Sequence, residues 1–205
     1  KRGTYLIEIS SEKSKVVSSL SKMPTKINPI CIHPMFGPGI KTLKGQNIIS
    51  VPIKDAKKEL TMAKTLFAGA NFVTIDAVEH DKKIAVILGL THLMNLVFAN
   101  IISKDEKTML TEKMSGTTFR VQKTLAEGIM TESPELIETI IANPEIRRVA
   151  EELWKDIGRL LTAVQESKTD EVIEYVKECQ ERLAKHTDVD ESYKRLAKMV
   201  KAVEK

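Results

Sequence analysis

The stretch NFVTI (residues 71–75), followed shortly by VEHDKKIAVILGLTHLMNLVFANII (residues 78–102), is where the chain changes character. Its first piece is a short β-branched and aromatic run of strand type. In the second, apolar residues recur at steps of three and four, and then stand nearly all round the middle: Ile84, Val86, Ile87, Leu88, Leu90, Leu93, Leu96, Val97 and Phe98. The spacing predicts a helix over 79–102. Such a helix has to be covered on several sides, in a bundle core or a subunit interface.

Upstream of this point strands alternate with helices. Strands are predicted at Tyr5–Ile9, Pro29–His33 and Asn47–Ile53, with Asn71–Ile75 as the fourth. A helix capped by Ser10 or Ser11 runs through Leu20, and another spans Lys54–Ala68. Between them lies a loop, Met35–Gly45, punctuated by Pro38, Gly37, Gly39 and Gly45. Alternation with short connections predicts a doubly wound α/β sheet. The strand at Tyr5 comes at once, with no cap before it, so the chain is expected to begin inside a domain. Downstream only helices are predicted, over 117–131, 134–142, 144–166, 169–185 and 188–203. Pro134 and Pro144 suit first-turn positions, each behind a capping residue, Ser133 and Asn143. Ile146, Val149, Leu153, Ile157, Leu160 and Val164 form an amphipathic stripe.

Composition narrows the function classes. Apolar residues make up 42% of the chain, enough for a packed core. The 32 basic and 28 acidic residues nearly cancel, and aromatics are only 4%, so no nucleic-acid partner is expected. No unbroken apolar run of about 20 residues is present, so no membrane partner is expected either. Cys31 sits in an apolar run and Cys179 far from it, without metal-type spacing. A cytoplasmic protein with reduced thiols and no metal is the expectation.

His33-Pro34-Met35-Phe36-Gly37-Pro38 stands at a predicted strand end. In open α/β sheets ligands bind at the carboxyl ends of strands. A histidine placed there titrates near neutrality and can take a proton at working pH. Equally, it can serve only to hydrogen-bond a rigid loop, and spacing alone leaves both readings open.

This hexapeptide resembles the signature of the prephenate dehydrogenase family. Three other stretches agree in order and spacing. Glu8-Ile9-Ser10-Ser11-Glu12-Lys13 is similar to the family's acidic-x-x-Ser-x-Lys segment. His80-Asp81 and then Leu90-Thr91-His92-Leu93 resemble its His-Asp pair and the histidine beyond, and Phe119-Arg120 with Ser133-Pro134-Glu135-Leu136 resemble pieces of its next helices. The likeness runs over most of residues 4–142. It implies α/β followed by all-α: the C-terminal part of a Rossmann-like dinucleotide-binding domain (1–77), then an all-helical substrate and dimerisation domain (78–205).

The resemblance also implies a reaction, the NAD- or NADP-dependent oxidative decarboxylation of prephenate or arogenate on the route to tyrosine. In that role His33 accepts the proton of the ring hydroxyl, and Ser11 hydrogen-bonds the same region beside the nicotinamide. Ser11, Pro34 and Gly37 face the cofactor. Lys13 either joins the polar network, on the substrate side, or is a solvated first-turn lysine. His92, three helical turns from Asp81, and Arg120 meet the substrate, whose two carboxylates call for cations. A homodimer through the helical domain is implied. One departure concerns the substrate: where the family carries an arginine six residues before the proline matched by Pro134, this chain has Gly128. Lys123 is the alternative cation. No Gly-x-Gly-x-x-Gly follows a first strand, so this chain alone is expected to be inactive. Two other readings stay open: a non-catalytic dimerisation or regulatory module, and a related dehydrogenase acting on another small acid.

Overall fold

Strand β2 (Ile27–Pro34) carries the first core, because its alternate residues serve two faces of one sheet. The computed structural model describes residues 3–37 and 39–203; the notable loop residue Pro38 lies outside them. Ile30 and Ile32 point to one face, packing with Ile48 and with Ala63 of helix α2 (Ala56–Leu66). Cys31 points to the other, against Leu20 of helix α1 (Ser14–Ser21) and Val51. The sheet thus has helices on both faces. Ile30, Ile32 and Ile48 are at most 1% exposed, and each such side chain contributes about 1.5–3 kcal/mol by its burial.

Four strands lie side by side in the order β1 (Thr4–Glu8), β2, β3 (Asn47–Ser50), β4 (Asn71–Thr74). β1 and β2 run parallel, as do β3 and β4, whereas β2 and β3 are antiparallel. The sheet is therefore mixed. The predicted loop after β2 contains no crossover helix, and without one the chain returns antiparallel. β3 stops before Pro52, which has no N–H to give a ladder.

Helix starts differ from expectation where a distant or reversed cap takes over. Neither Ser10 nor Ser11 caps α1; Lys13 stands at the cap position, with no side-chain cap bond of its own. Ser10 Oγ instead donates to the carbonyl of Glu12. Helix α2 begins after Asp55, which accepts from the Lys58 amide. The Glu59 carboxylate folds back onto the amides of Ile53, Lys54 and Asp55 at 2.8, 2.7 and 2.9 Å.

After β4 only helices follow. Asp76 caps α3 (Ala77–Ile84), a π-helical segment spans Ala85–Leu90, and α4 covers Thr91–Ile102. The wider turns at Ala85–Leu90 break the 3.6-residue register on which the three-turn spacing of Asp81 and His92 rested. Then come α5 (Thr108–Met114), α6 (Thr117–Ile129), α7 (Pro134–Ile141), α8 (Pro144–Gln165), α9 (Thr169–Ala184) and α10 (Val189–Val203). Ser133 and Asn143 cap as expected, accepting from the amides of Leu136 and Glu145. The chain forms two compact units. One holds the residues up to Gly89 with Glu138–Ile146, the other Leu90–Ile137 with the chain from Arg147 onward. The units therefore divide within the helical stretch and not at the change from strand to helix.

The membrane expectation needs correction on one point. Ala77–Ile102, 26 residues, is by length and composition apolar enough to cross a bilayer. Polar Thr91, His92, Asn95 and Asn100 interrupt it, so a search for an unbroken apolar run passes over it. Within one chain only 28% of its apolar window is buried.

Candidate active site

In the first unit, His33 is the next-to-last residue of β2, on the face shared with Cys31, toward α1 and α3. The ring is 5% exposed. Its Nδ1 lies 3.0 Å from His80 Nε2, and His80 Nδ1 lies 2.8 Å from Asp81 Oδ1. Asp81 in turn accepts from the backbone amides of Lys13 (2.9 Å) and Ser14 (2.8 Å). These are orphan amides at the start of α1, so Asp81 of α3 is the cap that neither serine supplies. Burial alone would raise the Asp81 carboxyl, but hydrogen bonds from Ser14, His80 and the Lys13 amide outweigh it and hold it below the usual carboxylate range.

Lys13 lies beside this chain of groups and is not the solvated lysine its position suggested. It is fully buried. Its Nζ reaches Glu8 Oε2 at 2.6 Å and the Ile32 carbonyl at 2.7 Å, tying β1 and the residue before His33 to the start of α1. Burial raises Glu8, yet hydrogen bonds from Lys13, Ser10 and Cys31 bring it below its ordinary value. The Cys31 thiol, 3.2 Å from Glu8 Oε2, is pushed up to about 12 chiefly by burial. At that value it is no nucleophile.

His33 itself is pushed down to about 4, first by burial and then by the charges of His80 and Lys13. His80 is also lowered, by burial, against the pull of Asp81. Both rings are therefore neutral near pH 7. Among the described residues no buried side-chain nitrogen or oxygen lacks a partner, and His33 Nε2 makes no hydrogen bond. That nitrogen is accordingly the part of the ring that meets solvent.

Ser11 and the loop after β2 flank the same end of the sheet. With capping duty taken by Asp81, the half-buried Ser11 hydroxyl has no side-chain bond within the described residues. Pro34 is half-buried, Gly37 is exposed, and a side chain at Gly37 would meet nothing within 4 Å. The carboxyl ends of two parallel strands thus offer a hydroxyl, an open stretch of backbone and a neutral imidazole, so a flat ring can lie there without meeting a positive charge from His33. No group of three metal-ligating side chains occurs among the described residues.

The other predicted site residues belong to the second unit. His92 is buried on α4, its Nε2 3.2 Å from Glu132 Oε2. Next to it on α4, Asn95 accepts from Gln122 at 2.8 Å. Arg120 is exposed on α6, and its Nε donates to Ser115 Oγ. Lys123 is held by Glu112 at 2.7 Å and Glu127 at 2.9 Å. It replaces the missing arginine only by giving up two ion pairs. The partner Glu132 was not singled out from the sequence, since it meets His92 across 40 positions only through the fold, whereas Glu8 belongs to the same quoted segment as its partner Lys13.

The chain thus joins an α/β sheet, with a buried histidine near a strand terminus, to an all-helical part. Residues 76–178 match the family model described as prephenate dehydrogenase, dimerization domain, half of the chain; it belongs to the prephenate dehydrogenase family. Solved structures agree in fold. Synechocystis arogenate dehydrogenase is 13% identical, with 88% of this chain and 69% of that one covered, at a TM-score of 0.66. A. aeolicus prephenate dehydrogenase in complex with hydroxyphenyl propionate and NAD+ is 18% identical, covering 91% and 68%, at 0.69. Another Aquifex aeolicus prephenate dehydrogenase structure is 19% identical, covering 90% and 69%, at 0.62. No curated protein matches the chain.

Proposed function

We propose that the intact protein is an NAD- or NADP-dependent dehydrogenase that oxidatively decarboxylates prephenate or arogenate. The observation that carries this reading is His33: a neutral imidazole whose solvent-facing Nε2 stands at the carboxyl end of β2. Family membership and the fold shared with enzymes named for these substrates support it. When bound, the nicotinamide supplies the acceptor for the hydride that leaves the hydroxyl-bearing ring carbon. Ser11, Pro34 and Gly37 would hold it. His33 Nε2 takes the hydroxyl proton as the hydride departs. Loss of carbon dioxide then returns an electron pair to the ring, and the proton goes back to the phenolate oxygen. A positioned base of this kind contributes roughly 10²–10⁴-fold. His92 and Arg120 serve the substrate end, and Lys13 serves the site by fixing β1, β2 and α1 together.

A homodimer belongs to the same proposal, in the cytoplasm. A family model named for dimerization favours a second copy over lipid as the cover for the apolar helix Ala77–Ile102. A second reading, a related dehydrogenase acting on another small acid, is favoured by Gly128 and by the engagement of Lys123. The test follows reduced-nicotinamide absorbance of the product of the intact reading frame with prephenate, arogenate and a panel of small hydroxy acids, in wild type and His33→Asn. Turnover of prephenate or arogenate that falls at least 10²-fold in the variant supports the first reading. Turnover confined to other acids selects the second, and none at all rejects both.

A further inference from the structure

The chain of rings behind His33 has only one consistent arrangement of protons. Asp81 accepts from two backbone amides, which have no lone pair to offer in return. It is therefore the acceptor toward His80 as well, and His80 Nδ1 carries a hydrogen. A neutral His80 then presents a lone pair at Nε2, 3.0 Å from His33 Nδ1. Two lone pairs do not bond, so the hydrogen between the rings sits on His33 Nδ1. The second nitrogen of His33, Nε2, is left bare. We propose that Asp81 and His80 are positioning residues that fix the tautomer of His33, so that Nε2 always presents its lone pair to substrate.

Among the described residues no other group performs this task. Four titratable or charged groups face His33: His80 and Asp81 from α3, Glu8 from β1 and Lys13 from the start of α1. Of these only His80 is hydrogen-bonded to the ring. The two rings lie 5.2 Å apart between centroids with a 50° tilt, so the contact is edge-on through nitrogen and not a stack. The anchor is firm because Asp81 also caps α1: the His80–Asp81 unit cannot turn without uncapping a helix. When Nε2 takes up a proton, the charge is relayed as a hydrogen bond to His80 and onward to the Asp81 carboxylate, which stabilises it. Neither residue touches the reacting atoms.

This inference rests on the reading of His33 as a base, but its first test does not use turnover. The four histidines are labelled with 15N, and two-bond proton–nitrogen spectra at neutral pH report the tautomer of each, assigned by single substitutions. The wild-type chain is expected to show His33 protonated at Nδ1 with Nε2 bare. His80→Leu, which removes the acceptor, is expected to give a mixture of both His33 tautomers. His80→Gln, whose amide oxygen can still accept, is expected to keep the wild-type form. In the intact enzyme, His80→Leu lowers kcat by roughly 10–10²-fold with little change in KM and alters the acid limb of the pH profile; His80→Gln recovers most of it. A wild-type spectrum with the proton on Nε2 overturns the proposal without any variant, as does a His33 tautomer unchanged in folded His80→Leu. If the tautomers behave as expected while the wild-type enzyme turns over nothing, the relay stands and the dehydrogenase reading falls.

Discussion

At His33 two demands on one side chain conflict, and the conflict is measurable. The folded protein holds the ring down at about 4, mainly by burying it, whereas an unfolded chain leaves it near its ordinary 6.5. A group whose folded pKa is depressed costs stability as pH falls: above about 6.5 neither state is protonated, and between 6.5 and 4 only the unfolded state gains the proton. His80 shifts in the same direction and adds to the effect. From His33 the loss amounts to roughly 3 kcal/mol across this window. Denaturant unfolding at pH 7 and pH 4.5 is expected to show it, and His33→Gln, which does not titrate, is expected to lose clearly less. Equal losses in both proteins would mean that His33 is as easily protonated folded as unfolded. At this scale the sequence was informative about identity and silent about environment. The hexapeptide at His33 and the Ser11 segment point to the site, but the buried Lys13 reaches a carbonyl 19 positions away, and the role of Asp81 as a cap depends on residues 67 and 68 positions away, beyond any local pattern.

Two glycines within helical segments separate packing from propensity. A Cβ at Gly89 would stand 2.3 and 2.4 Å from Cδ1 and Cγ1 of Ile146, a side chain only 3% exposed. Gly89→Ala is expected to cost about 1–3 kcal/mol by overpacking. Ile146→Ala in the same chain is expected to remove that cost, so that the double variant is less destabilised than the sum of the singles; strict additivity would sink the close approach. Gly128 meets nothing within 4 Å and is exposed. Gly128→Ala is therefore expected to raise stability by about 0.5–1 kcal/mol through helix propensity alone, read as a higher midpoint in thermal unfolding. Most elements were legible in advance because periodicity and proline caps are local signals: α7 and α8 begin at Pro134 and Pro144 as predicted. Helix α5 was not, since its seven residues give less than two full turns of pattern. The mixed direction of the sheet was missed for another reason. The loop after β2 carries no helix pattern for a crossover, a local sign of the antiparallel return that the alternation of strands and helices masked.

The whole molecule leaves much apolar surface open in a single chain. Met94, Val97 and Ile101 of α4 are 46%, 51% and 64% exposed, and Trp154, Ile157 and Leu161 of α8 are 78%, 45% and 53% exposed. The α8 set lies at spacings of three and four, one face of a helix, and overlaps the stripe predicted over residues 146–164. Only Ile146 and Val149, at its start, are buried. A lone soluble chain rarely shows so many large apolar groups in ordered rows. A second copy covering these rows would remove that surface from water, at about 25 cal/mol per Å² buried. A lipid bilayer would demand instead that the polar side chains of α4, Thr91, His92, Asn95 and Asn100, lie at membrane depth, which is costly. The expected outcome is a particle of two chains in light scattering behind size exclusion, without detergent. Met94→Glu with Ile101→Glu, or Trp154→Glu with Leu161→Glu, is expected to yield one chain with helical circular dichroism retained. A wild-type protein that runs as one chain at tens of micromolar, or that leaves the membrane fraction only with detergent, would show that something other than its own copy covers these faces.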